Sequence, residues 1–304
     1  MTTQKSTTPK SFSDILGRKI PTVDILDVGA MATGQERYHG LLATGLAQVT
    51  GFEPNPAEFA RLKDRPGPYR YLPYFLGSGG PATFHLTRYP GCSSLLMPDP
   101  KVIDMFMTIG CADAGGNFHV VKTEPVETKR LDDIKPEVKA DLIKVDAQGY
   151  ELEIMRHGTT TVSQALVIDC EVEFVPLYKD QPLFGDVQCF LRDRGFALHK
   201  LIDCAGRPFR PFNTPNPFLP MSQVLWADAI FVRDFTRLDA YSNDDLLKAA
   251  AILDVVYSSY DLVGLLLAEY DKRAKSSVRQ AYVGDLQKRS SLSVRVLNIM
   301  DHPA

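Results

Sequence analysis

Two segments of this chain constrain its fold more than any others: VDILDVGAMATG (Val23 to Gly34) and QVTGFEPNP (Gln48 to Pro56). An apolar run stops at Asp27, small residues Gly29 and Ala30 form a turn, and Gly34 opens a helical segment. That is the pattern of the first half of a βαβ unit. A second apolar run ends at Glu53, 26 residues after Asp27, where a carboxylate can accept hydrogen bonds from both hydroxyls of a ribose. Glycine at the strand-to-helix turn lets a ligand approach the backbone, although parallel sheets also carry glycine in such turns with no ligand at all.

The loop chemistry narrows the nucleoside. A dinucleotide fold wants G-x-G-x-x-G so that a pyrophosphate can rest on the helix N-terminus, but Met31 and Thr33 stand where further glycines are needed. Asp27 would repel phosphate, yet it suits the ammonium of an amino-acid moiety such as that of S-adenosylmethionine. A dehydrogenase using NAD(P) is the disfavoured alternative on these grounds.

Composition sets the outer bounds. With 304 residues and a formal charge of −3, the chain is long enough for one large α/β domain plus an appendage. It has no concentrated basic stripe, so a nucleic-acid partner gains no electrostatic support. Cys92, Cys111, Cys170, Cys189 and Cys204 form no C-x-x-C pair, and an odd count of scattered thiols fits a reducing, cytoplasmic setting. MTTQKSTTPKS has no apolar signal region, and LVGLLLA (Leu262 to Ala268) is too short to span a bilayer. His39, His85, His119, His157 and His199 show no metal-ligand spacing, and no metal is expected.

The order of elements suggests three parts. Residues 1–12 read as a disordered polar tail and 13–238 as the main domain, with an insertion or lid at about 77–128; 239–304 read as a helical extension. Within the main domain, strands are expected at Val23 to Val28, Leu46 to Phe52 and Tyr69 to Leu76, with another short one ending near Thr128. Leu142 to Val145, Ala165 to Phe174, Phe196 to Ile202 and Val224 to Val232 follow as strands, and a helix is expected to begin near Gly149. Five prolines between Pro208 and Pro220 force a loop there. Ser242 reads as an N-cap, with at least two amphipathic helices beyond it whose apolar stripes suit core or a homo-oligomer interface.

In this order, DVGA, GFEPNP, Thr128 with Arg130 to Ile134, DLIKVDAQGYELEIMRHG, PLYKDQPLF and ADAIFVR resemble the FkbM family of S-adenosylmethionine-dependent methyltransferases, from about Val23 to Arg233. The most specific part of the resemblance is Lys144 to Glu153. The resemblance implies a class I methyltransferase fold: a Rossmann-like, mostly parallel seven-stranded sheet with helices on both faces, here followed by the C-terminal helices. It also implies O-methylation of a small-molecule or glycan hydroxyl. Asp27, Gly29, Ala30, Glu53, Pro54 and Leu76 are the expected cofactor contacts; Gln148, Glu171 and Ser94 are the expected substrate contacts.

Asp146, at the carboxyl end of a central strand, is the expected catalytic base, because Gln148 cannot take a proton. The competing role for Asp146 is a helix N-cap. A cofactor-binding partner protein that has lost activity is the other alternative to an enzyme. Asp132 and Asp133 could simply begin a helical turn.

Overall fold

The structure is a computed structural model that describes residues 12–17, 19–30, 36–111 and 115–288. In chain order, α1 (Phe12–Leu16), β1 (Val23–Val28), α2 (His39–Ala43), β2 (Ala47–Phe52), α3 (Pro56–Leu62) and β3 (Tyr69–Leu72) come first. Next are β4 (Phe75–Leu76), β5 (Pro81–Thr87), α4 (Pro100–Ile103), β6 (Val120–Lys129), β7 (Leu142–Val145), α5 (Glu151–Arg156) and α6 (Thr159–Gln164). Then follow β8 (Val167–Glu173), α7 (Phe184–Arg192), β9 (Phe196–Gly206), β10 (Val224–Arg233), α8 (Asn243–Val255), α9 (Tyr260–Ala274) and α10 (Val278–Leu286). The expected polar tail up to residue 11, and Gly34 with the rest of the loop at 31–35, lie outside the described residues.

The chain divides into two compact units. The larger, Asp24–Gly34 with Gln48–Phe235, carries a seven-stranded sheet in the order β3-β2-β1-β7-β8-β10-β9. β2 with β3, β1 with β7 and β7 with β8 pair in parallel, whereas β10 runs antiparallel to both β8 and β9. The expected mostly parallel, seven-stranded sheet is therefore present. Its central strands are apolar along most of their length because both faces are covered: Leu26, Val28, Ile143, Val145, Ile168 and Cys170 belong to one buried cluster with Leu152 and Met155 of α5.

Three local expectations need correction. The third strand does not run unbroken from Tyr69 to Leu76. It ends at Leu72, Pro73 follows, and β4 joins a separate three-stranded sheet ordered β4-β6-β5. Proline has no N–H to continue a ladder, so a break at that position is where the chain can change sheets. The strand before Thr128 is not short either, since β6 spans ten residues and pairs antiparallel with β5 from Val120 to Glu127. Pro125 within it is tolerated because β4 pairs with β6 only at Thr128 and Lys129, leaving one side of β6 unpaired by strand β4 at Pro125. Finally, α5 begins at Glu151 rather than near Gly149, because Gln148 and Gly149 both adopt left-handed backbone, with φ of 54° and 92°.

Asp132 has a structural task. Its carboxylate accepts the backbone N–H groups of Thr160 and Thr161 at 2.9 and 3.0 Å, filling the open N-terminus of α6.

The smaller unit is assembled from Met1–Val23, Gln35–Ala47 and Thr236–Ala304. Ser242 caps α8 as the sequence suggests, in a reciprocal box with Asp245. Three helices follow it, and Leu246, Leu247, Ile252, Leu253, Val263, Leu266 and Leu267 are buried within the chain. Phe12 of α1 packs edge-on to Tyr282 of α10 with ring centroids 5.9 Å apart, and the Tyr282 hydroxyl donates to buried Asp254 at 2.8 Å. Among the described residues no helix is long and apolar enough to cross a membrane.

Candidate functional site

Strand order reverses between β1 and β7, and a crevice opens at such a switch point beyond the carboxyl ends of the strands. The two strand ends are fastened there: Asp146 N donates to Val28 O at 3.1 Å, while the N–H groups of Gly29 and Ala30 both reach Phe52 O at 3.2 Å. Gly29 has φ of 81°, and a β-carbon at this position would stand 2.0 Å from the Asp146 carbonyl oxygen. Only glycine fits. The turn after β1 and the loop after β7 thus touch backbone to backbone.

A cleft of about 940 Å³, including its open mouth, lies over this junction. Its floor holds Gly29, Glu53 and Asp146 from the ends of β1, β2 and β7. One wall comes from the small sheet, through Phe75, Leu76, Phe84 and Leu86, and another from Pro90 to Leu95. Tyr74 and Tyr150 add aromatic faces.

Glu53 is buried, with Oε1 accepting the Asn55 N–H at 2.6 Å. Burial pushes its pKa up to about 7, against that hydrogen bond, with Glu58 and Asp27 adding like charge. Asn55 also caps α3, its side chain accepting from the N–H groups of Ala57 and Glu58. Glu53 is therefore held at a helix entrance.

On the β7 side, carboxylate oxygens of Asp146, Glu151 and Glu171 lie within 4.8 Å of one another, an arrangement that could hold a cation. Gln148 occupies part of that space, its Nε2 donating to Asp146 Oδ1 at 2.9 Å and to Glu171 Oε2 at 2.8 Å. Glu151 Oε1 accepts the N–H groups of Ala147 and Gly149 at 2.7 and 3.1 Å, yet burial still lifts its pKa to about 7. Burial, reinforced by Asp146 and neighbouring glutamates, raises Glu171 and Glu173 well above the ordinary carboxylate range. Lys144 Nζ sits 3.6 Å from Asp27 Oδ1 and 3.7 Å from Asp146 Oδ2. Burial opposes its charge, but Asp27, Asp146, Asp169 and Glu171 outweigh that and hold its pKa above the usual value.

Of the residues singled out in the sequence, Gly29, Glu53, Pro54, Leu76, Ser94, Asp146 and Gln148 line the cleft. Three expected residues do not. Ala30 is buried in a small cluster with Leu62 and Tyr71, so it packs the turn from behind. Asp27 lies behind the cleft, in the ion pair with Lys144, and Glu171 meets the site through Gln148. His157 ends α5 and pairs with Glu153 at 3.0 Å, a structural role. Sequence reasoning passed over Lys144, Glu151 and Tyr178. A lysine inside the apolar run Leu142 to Val145 was a usable signal, since a charge in a buried strand needs partners.

A family model described as the methyltransferase FkbM domain matches residues 27–198, more than half of the chain. The protein belongs to the FkbM methyltransferase family. No curated protein matches it. Solved structures similar to it include magnesium protoporphyrin IX methyltransferase from Synechocystis PCC 6803 with bound SAM, at 11% identity and TM-score 0.35, covering 70% of this chain and 71% of that one. Another is 1,6-didemethyltoxoflavin-N1-methyltransferase from Burkholderia thailandensis, at 12% identity and TM-score 0.32, covering 73% of this chain and 75% of that one.

Proposed function

We propose that this methyltransferase takes its methyl group from S-adenosylmethionine and delivers it to a hydroxyl of a sugar or other natural product, with Asp146 accepting the proton. The observation that carries the reading is the backbone contact between Gly29 and Asp146, which sets a small-residue nucleoside turn beside a half-buried carboxylate in one cleft. The residues fit the cofactor. Glu53 Oε1 is taken by Asn55, which leaves Oε2 for ribose hydroxyls, and Gly29 keeps the turn free of side chains. Pro54 and Leu76 supply apolar walls.

When bound, the cofactor supplies an electrophilic methyl group on a sulfonium whose leaving group departs neutral. The chain's share is alignment and proton removal. A hydroxyl is a poor nucleophile until its oxygen gains charge, and a carboxylate in hydrogen-bond reach can take the proton as the new bond forms. Asp146 lies on the cleft with Gln148 holding one of its oxygens. The aromatic faces of Tyr74, Phe84 and Tyr150 suit a sugar ring or a planar acceptor. A nicotinamide dinucleotide is disfavoured by Met31 and Thr33 in the loop.

Asp146→Asn is nearly isosteric, and in an acceptor screen with labelled methyl donor it should lower turnover by roughly 10²–10⁴ while leaving cofactor affinity in place. Near wild-type turnover would remove Asp146 as the base. Tight cofactor binding with no turnover on any acceptor would favour the silent partner protein instead.

A further inference from the structure

Gln148 is where the parts of the cleft meet. Its φ of 54° is a conformation that residues with a β-carbon adopt rarely and at some cost, so its surroundings must hold it there. Ser94 Oγ, on the cleft wall, donates to the Gln148 carbonyl at 2.8 Å, and Glu151 secures the N–H groups on either side. The side chain is equally occupied. Nε2 places its two hydrogens on Asp146 and Glu171, and Oε1 accepts from the Tyr178 hydroxyl at 3.2 Å. With both donors spent on protein groups, Gln148 has none left for a substrate.

The orientation of this amide follows from what flanks it. Nε2 faces oxygens of Asp146 and Glu171, and on the other side the Tyr178 hydroxyl faces Oε1. Tyr178 is buried and its single hydroxyl hydrogen serves both Gln148 Oε1 and Cys92 O, the latter at 3.0 Å. Cys92 ends the turn Pro90–Cys92 that leads into the cleft wall. One phenol therefore ties the wall to the loop bearing Asp146.

We propose that Tyr178 and Gln148 are a positioning pair: the phenol selects the orientation of the amide, and the amide aims the Asp146 carboxylate at the acceptor while bridging it to Glu171. This rests on the reading of Asp146 as the base. An amide suits the task because it links two acids without adding a third titratable group between them. Burial keeps the Tyr178 phenol protonated well beyond its ordinary range, so it stays a donor.

The side-chain amide signals of Gln148 test this without an acceptor. They are identified in the nitrogen-15 spectrum by their loss in Gln148→Leu, and in the wild-type protein their shifts should follow the titration of the flanking carboxyls. Tyr178→Phe, which removes only the hydroxyl, should speed exchange of those amide protons on the order of tenfold and alter their pH titration. Unchanged exchange and titration would overturn the proposal.

Should Tyr178→Phe fail to fold, carboxyl carbon-13 titration of Gln148→Leu decides. Loss of the donor must move the Glu171 midpoint to higher pH, and an unmoved midpoint overturns the pair. The base is judged separately, because undiminished methyl transfer by Asp146→Asn would remove that role without touching the amide signature.

Discussion

Glu53→Gln should make the free protein more stable and the cofactor complex weaker at the same time. The carboxylate is held in a buried position that pushes its pKa from 4.5 to about 7. For an acid raised in this way, the folded state binds more protons than the unfolded one between those two values, so stability falls as pH rises through that window. Above about pH 7 the whole cost is present, about 3 kcal/mol. Glutamine keeps an oxygen for the Asn55 N–H and removes the charge. The variant should therefore melt several degrees above wild type at pH 8, and the gain should shrink toward nothing near pH 4.5.

Cofactor affinity should move the other way. Losing a charged acceptor for ribose hydroxyls costs roughly 1.5–3 kcal/mol, or about ten- to a hundredfold in Kd. In the wild-type protein, affinity should weaken as pH falls below about 7, where Glu53 takes up a proton; in the variant this dependence should be clearly shallower. Calorimetry between about pH 5.5 and 7 isolates the effect, because the cofactor's own amino group stays charged there. Affinity unchanged within about twofold on substitution, or the same pH slope in both proteins, would refute the assignment of Glu53 to the ribose.

Other substitutions probe the frame. Gly29→Ala places a β-carbon against the Asp146 carbonyl in a left-handed backbone and should cost more than about 3 kcal/mol; a melting point within about 2 °C of wild type would contradict the contact. Asp132→Ala removes the acceptor at the start of α6 and should cost about 1 kcal/mol, read by denaturant titration with unchanged cofactor affinity. Tyr282→Phe deletes a buried bond to Asp254 and should cost about 1–3 kcal/mol, again with cofactor binding intact.

What the sequence discloses here depends on how local the governing physics is. β1, β7 and β8 are mostly apolar strands with an acid at or beside the end, Asp27, Asp146 and Glu173, and they are visible because burial on two faces favours apolar residues. Glu53 and Asp146 were legible for the same reason. The strand ending near Thr128 was visible, but its ten-residue length was hidden because Lys122, Thr123, Glu124 and Pro125 give it an exposed, proline-interrupted face. Tyr178 and Ser94 were placed beside Gln148 by tertiary folding alone, across 30 and 54 residues, and no local pattern marks such a meeting. The left-handed backbone at Gln148 is likewise set by its neighbours in space.

The smaller unit has a consequence for how the chain is made. Phe12 is buried against Tyr282, and α2 packs on α8, so these early segments find partners that are translated much later. At about 5–20 residues per second, the ribosome needs on the order of tens of seconds to cover that interval. Throughout that delay Phe12, Leu16 and Leu41 are without the C-terminal helices they are buried with in the finished protein. The sheet of the larger unit, complete by Arg233, can close during synthesis while these early side chains still wait for their partners.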